Sequence, residues 1–172
     1  MSGKTIKRLV FAAMLAALTC AATMIIQVPS PMGGYVNLGD CFVLLSGWLL
    51  GPVWGGFAAG IGSMLTDVIL GYAAWAPGSL IIKGLDAALA AVVFRAARRG
   101  RMARVFSGAA GEALMVLGYF AYSSLILGNG LAAAASIPGD IVQGAMGIIA
   151  SFVLAEAFER IHLTAKFRQL EG

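Results

Sequence analysis

Long apolar runs follow one another along almost the whole chain, and most charged residues lie at their ends or in the short connections between them. Several runs approach the length of about 20 residues that an α-helix needs to cross a bilayer. A segment in lipid must satisfy its own backbone hydrogen bonds, which such a run does as a helix. Composition agrees: 60% of the residues are hydrophobic, 12% are charged and the mean hydropathy is +0.89, far from the averages of water-soluble domains. The expected fold class is an all-α integral membrane protein. The 172 residues accommodate about six helices in one transmembrane domain, without room for an ATPase module or a large extramembrane enzyme.

Turn signals divide the chain. The basic start, MSGKTIKR, leads into helix 1 over residues 9–28, a run too long for a signal peptide and lacking a clean small-x-small cleavage site. Pro29, Pro31, Gly33 and Gly34 then impose a structured loop. Helix 2 is expected over 40–51, the Gly51-Pro52 pair marks a turn, and helix 3 follows over 53–70. A loop carrying Tyr72, Trp75 and Pro77 precedes helix 4 over 79–94, and the arginine-rich connection Arg95 to Arg104 precedes helix 5 over 105–127. Pro138, at a favoured first-turn position, opens helix 6 over 138–158. The tail from Glu159 reads as an interfacial or solvated helix. Small residues four apart, at Ala12 and Ala16, Ala13 and Ala17, Gly47 and Gly51, and Gly56 and Gly60, suit close helix approach rather than phosphate binding.

Charge sets the orientation. All but one of the 12 Lys and Arg residues fall in three groups: Lys4, Lys7 and Arg8; Arg95, Arg98, Arg99, Arg101 and Arg104; and Arg160, Lys166 and Arg168. The positive-inside rule places all three in the cytoplasm, which requires an even number of crossings between successive groups. Four helices and then two satisfy that condition, so both termini are expected to be cytoplasmic. The same residues explain the pI of 9.4 without nucleic acid, because they flank apolar spans instead of interleaving with exposed aromatics. Cys20, Cys41 and the single histidine, His162, supply neither a disulfide framework nor a metal set, and no cofactor is expected.

The exception among the cations is Lys83, which falls on the outer side of this topology together with Asp40, Asp67 and Asp140. Ionisable residues inside a membrane segment are costly unless paired or hydrated, and they mark functional sites. Lys83 is expected to face a pocket with Asp40 or Asp140 as its partner. Asn37, Asp40, Lys83, Tyr122, Asn129, Asp140 and Gln143 offer donors and acceptors there, and Tyr72 and Trp75 offer flat faces. That set suits a small heteroaromatic ring bearing hydroxyl groups.

The segments GYVNLGD at 34–40, LLGPVWGGFAAGIGSMLTDVILGY at 49–72 and APGSLIIKG at 76–84 resemble the substrate-binding S components of energy-coupling factor (ECF) vitamin transporters. The similarity is to the riboflavin, pyridoxine and hydroxymethylpyrimidine group and covers essentially the whole chain. It implies a six-helix protein of the prokaryotic plasma membrane that captures a vitamin or precursor at the outer face, pyridoxine-like or hydroxymethylpyrimidine-like first and riboflavin next. It also implies a transmembrane coupling subunit and two cytoplasmic ATPase subunits as partners. By the same resemblance Ala12, Ala13, Ala16 and Ala17 form the surface that docks onto the coupling subunit.

Two other classes fit less well. An intramembrane aspartyl hydrolase wants Gly-x-Gly-Asp, whereas residues 37–40 read Asn-Leu-Gly-Asp, and both Asp40 and Asp67 fall near the outer surface of the expected topology. No Ser/His pair or metal set supports an enzyme. A stand-alone small transporter or channel would be expected to show an inverted repeat or a charge ladder, and neither is evident.

Overall fold

The computed structural model of the protein describes residues 3–31 and 34–160. His162, Lys166, Arg168 and most of the expected tail helix lie outside the described residues. Five helices are long and apolar enough to cross a membrane. They are α1 (Gly3–Ile25), α2 (Asp40–Ile69), α3 (Ala76–Ala96), α4 (Arg101–Ala121) and α5 (Ile137–Arg160). Helix α4 runs on into a π-helical turn, Tyr122–Ile126, and a 3-10 segment, Gly130–Ser136, precedes α5. The loop expected after the first helix contains a small antiparallel hairpin, β1 (Gln27–Pro29) and β2 (Tyr35–Asn37).

The expected helices 2 and 3 both fall within α2, whose course breaks at Gly51 with φ 83° and ψ −179°. Glycine enters that region without steric cost, and Pro52 then restarts the helix from a favoured position. The break reverses the chain. A Cβ at Gly55 would collide with the Ser46 carbonyl and stand 2.8 Å from Gly47 Cα, although eight residues of straight helix span about 12 Å. The arms 40–50 and 52–69 therefore lie side by side. Both press on α3: a Cβ at Gly47 would strike the Ala87 carbonyl, one at Gly60 the Leu80 carbonyl, and one at Gly56 would sit 2.9 Å from the Gly84 carbonyl. These glycines pack backbone on backbone, where van der Waals contact drives helix association in lipid.

The alanine rows of α1 separate. Ala12 and Ala16 are buried, and a Cβ at Gly62 would meet the Ala16 carbonyl, so this row packs inside the protein against α2. Ala13 and Ala17 face outward. Because successive positions on a helix point about 100° apart, only one of the adjacent rows can pack on α2. Of the four alanines expected to form a docking face, Ala12 and Ala16 are thus buried within the bundle and Ala13 and Ala17 are exposed.

The two ends of the bundle differ in chemistry. Ala12, Leu15, Trp48, Leu49, Leu50, Phe94, Ala103 and Ala155 form one apolar cluster. It joins the first half of α1, the Gly51 break, the end of α3, the start of α4 and the end of α5. Trp48 Nε1 donates to Ser107 Oγ at 3.0 Å and stacks at 5.8 Å on Phe94. At the same end Arg101 and Arg104 pair with Glu156, and Arg104 also with Glu159. The arginine-rich connection and the end of α5 thus share one face of the bundle. The opposite ends of the helices converge on the polar site.

Candidate substrate-binding site

A cavity opens where α1 and the second arm of α2 end, where α3 and α5 begin, and where α4 passes into its π-helical turn. It encloses about 50 Å³ and widens to about 630 Å³ when the space up to its open mouth is counted. Its lining mixes aromatic residues, Trp75, Tyr119, Phe120 and Tyr35, with polar ones, Asn37, Lys83, Asp140 and Gln143.

Lys83 sits about 10 Å into α3, and its ammonium pairs with Asp40 Oδ1. Both side chains are nearly inaccessible, at 3% and 0% exposure. The expected pairing is therefore present, with Asp40 as the partner. Asp40 itself departs from the expected outer position. It stands at the level of Lys83, and a Cβ at Gly147 of α5 would lie 2.7 Å from Asp40 Cβ. The reason is the short arm 40–50, which rises only about 15 Å and so begins deep in the bundle. Strand β2 leads into it.

Gln143 ties this pair to the hairpin. Its Nε2 donates to Asp40 Oδ2 at 2.7 Å, and its Oε1 accepts from the Asn37 backbone N–H at 2.8 Å. Asn37 Oδ1 accepts in turn from the Gly39 N–H at 2.8 Å, fixing the approach to α2. Two further contacts hold the hairpin over the cavity: Tyr35 Oη donates to Asp67 Oδ1 at 2.6 Å, and the hydroxyls of Ser30 and Ser136 lie 2.7 Å apart. Burial, then the hydrogen bond and charge of Asp67, push the Tyr35 phenol above its ordinary pKa range, so it remains a neutral donor.

Among the aromatic residues Tyr119 Oη and Ser79 Oγ are hydrogen-bonded at 2.8 Å, and the Lys83 ammonium lies 5.4 Å from the Tyr119 ring centroid. Trp75 packs between Tyr119 and Tyr122, with centroids 6.0 and 6.1 Å away. Of the residues expected from sequence, Asn37, Trp75, Lys83, Asp140 and Gln143 line the cavity. The other four sit behind that lining. Asp40 holds Lys83 and Gln143; Tyr72 stacks at 4.8 Å on Tyr35; Tyr122 donates to the Ala74 carbonyl at 2.8 Å; and Asn129 donates to Ser123 Oγ at 3.0 Å. Asp67, singled out with the outer ionisable residues, lines the cavity too, and Tyr35, Ser79 and Tyr119 line it without having been expected there. For Tyr119 a signal existed, because it lies three residues before Tyr122 and hence on a neighbouring face of the same helix.

Residues 3–160 match the protein family described as ECF-type riboflavin transporter, S component. The chain belongs to that family. S components are the substrate-binding subunits of ECF transporters. They work with a transmembrane subunit and ATPase subunits, they are multi-pass membrane proteins, and they are not enzymes. A Pyrococcus woesei relative, described as an uncharacterized protein in a gap 3′ region, is 40% identical over 129 residues, covering 74% of this chain and 84% of its own. The fold is similar to a solved structure titled as the S component of a bacterial ECF transporter, with a TM-score of 0.71 and 18% identity. That match covers 91% of this chain and 98% of the other.

Proposed function

We propose that this S component captures a small heteroaromatic vitamin, or a vitamin precursor, at the outer face of a prokaryotic plasma membrane for ATP-driven uptake. The observation that carries this reading is the cavity, whose lining combines the aromatic side chains Trp75 and Tyr119 with a buried ammonium and two amides at Lys83, Asn37 and Gln143. A flat ring gains area and stacking on the aromatic residues, and its hydroxyls or ring nitrogens find donors and acceptors in the polar ones. The narrow interior suits one ring with hydroxyl substituents, as in pyridoxine or hydroxymethylpyrimidine. The family's description is the specific reason to keep riboflavin as a second reading, with its larger ring system extending into the mouth.

In this proposal the chain crosses the membrane six times, the short first arm of α2 together with the segment leading into it making one crossing, the second arm the next, and both termini lying in the cytoplasm. The pairing of Arg101 and Arg104 with Glu156 and Glu159 supports one shared cytoplasmic face for two of the basic groups. The hairpin 27–37 acts as the lid, held by Tyr35, Asn37 and Ser30. Ala13 and Ala17 offer the docking face for the transmembrane coupling subunit, which associates with two ATPase subunits. Mass spectrometry of small molecules released from the purified chain tests the substrate class. Recovery of a one-ring or flavin-type vitamin supports it, and recovery of a lipid or peptide overturns it.

A further inference from the structure

Beneath the cavity lies a cluster of which only Asp40 takes part in holding the cavity's polar residues. Asp40 at the head of α2, Asp86 on α3 and Glu112 on α4 each bring a carboxylate oxygen within 4.8 Å of the other two. All three are buried, at 0%, 0% and 4% exposure. Asp40 has partners in Lys83 and Gln143. Asp86 and Glu112 do not: both oxygens of each accept no hydrogen bond from the protein. Two carboxylates this close repel one another, and each loses its hydration on burial, so the arrangement calls for a positive charge between them.

The backbone around the cluster is cut back to leave it space. On α5 a Cβ at Gly144 would stand 3.0 Å from Glu112 Cβ, and one at Gly147 would stand 2.9 Å from Glu112 Oε1. On α4 a Cβ at Gly111 would collide with Asp86 Oδ1. Three glycines from two helices thus face the same carboxylates. Lys83 is the one ammonium among them, and against three ionised carboxylates it leaves two negative charges uncompensated in a bilayer segment.

The ligand atoms are all carboxylate oxygens, a set that suits hard cations such as Mg²⁺, Ca²⁺ and Mn²⁺. Calcium–oxygen bonds of about 2.3–2.6 Å place two oxygens of one ion at most about 5 Å apart, which matches the spacing seen here. We propose that Asp40, Asp86 and Glu112 form a site for one hard divalent cation, of the Ca²⁺ or Mn²⁺ kind, buried beneath the substrate cavity. The ion neutralises the cluster, and Asp40 shares its remaining lone pairs between the ion, Lys83 and Gln143.

The test uses the full chain in detergent, stripped with chelator and then titrated with Mn²⁺. The expected result is about one Mn²⁺ retained per chain, displaced by Ca²⁺, with the melting temperature raised by roughly 5–10 °C at a hundredfold excess over Kd. Glu112→Gln and Asp86→Asn should each lower Mn²⁺ occupancy at least tenfold, whereas Glu159→Gln, at the other end of the bundle, should leave it unchanged. Should Asp86→Asn fail to fold, Glu112→Gln and the wild-type titration decide. No retained Mn²⁺ with no divalent-dependent melting shift would overturn the site in favour of protonated carboxyls. A shift produced by Na⁺ alone, or full occupancy in Glu112→Gln, would overturn it as well.

Discussion

The two ends of the bundle bury different mixtures of side chain. At the end near the Gly51 break, Leu15, Leu44, Leu45, Trp48 and Phe94 interlock, and the one buried charge described there, Arg104, is paired with Glu156 and Glu159. At the other end Asp40, Lys83, Asp86, Glu112 and Gln143 are buried to nearly the same degree, beside an open cavity. A chain needing only stability would fill that space with apolar residues, since replacing buried ion pairs by well-packed hydrophobic groups is often neutral or stabilising. The difference suits one end to holding the fold, and the proposed function places the ligand at the other.

That division can be broken residue by residue. The largest effect is expected from Lys83→Ala, which strands Asp40 in the interior and should cost about 3–5 kcal/mol of stability along with ligand binding. A thermal melt and a binding titration check it, and unchanged values of both would remove Lys83 from the account. At the packed end, Trp48→Phe deletes the donor to Ser107 Oγ and should cost about 1–3 kcal/mol. Ligand affinity measured below the lowered melting point should not change.

A smaller effect is expected from Tyr119→Phe, which removes the hydroxyl bonded to Ser79. It should cost about 0.5–1.5 kcal/mol, read as a fewfold loss of ligand affinity with the melting temperature nearly retained. Least of all should change in the isolated chain on Ala13→Trp or Ala17→Trp, because both positions face away from the bundle. Those variants should keep ligand binding and melting temperature while losing ATP-driven uptake in the reconstituted complex. Uptake at the wild-type rate would place the docking surface elsewhere.

Much of this arrangement was legible in sequence because the bilayer imposes simple rules. Apolar run lengths announced the helices, Gly51-Pro52 announced a reversal, and the placement of Lys83 against the positive-inside pattern announced a buried partner. What stayed hidden depends on depth and rotation, which local pattern does not encode. Asp40 reads as the outer start of a helix, and only the packing of 40–50 against α3 and α5 reveals how deep it begins. The rows Ala12/Ala16 and Ala13/Ala17 read alike until Gly62 selects one of them. Tyr35 lies on a strand of three residues, too short for a period to register, and is placed by its bond to Asp67. Asp86 and Glu112 meet across two helices, with nothing in their spacing to signal it.

The most direct test is a titration of the isolated chain with riboflavin, pyridoxine and hydroxymethylpyrimidine, followed by tryptophan fluorescence or calorimetry. The account predicts saturable binding of one of these compounds at one molecule per chain, weakened at least tenfold by Trp75→Ala. Absence of saturable binding to any of them, or the same affinity after Trp75→Ala, would contradict it.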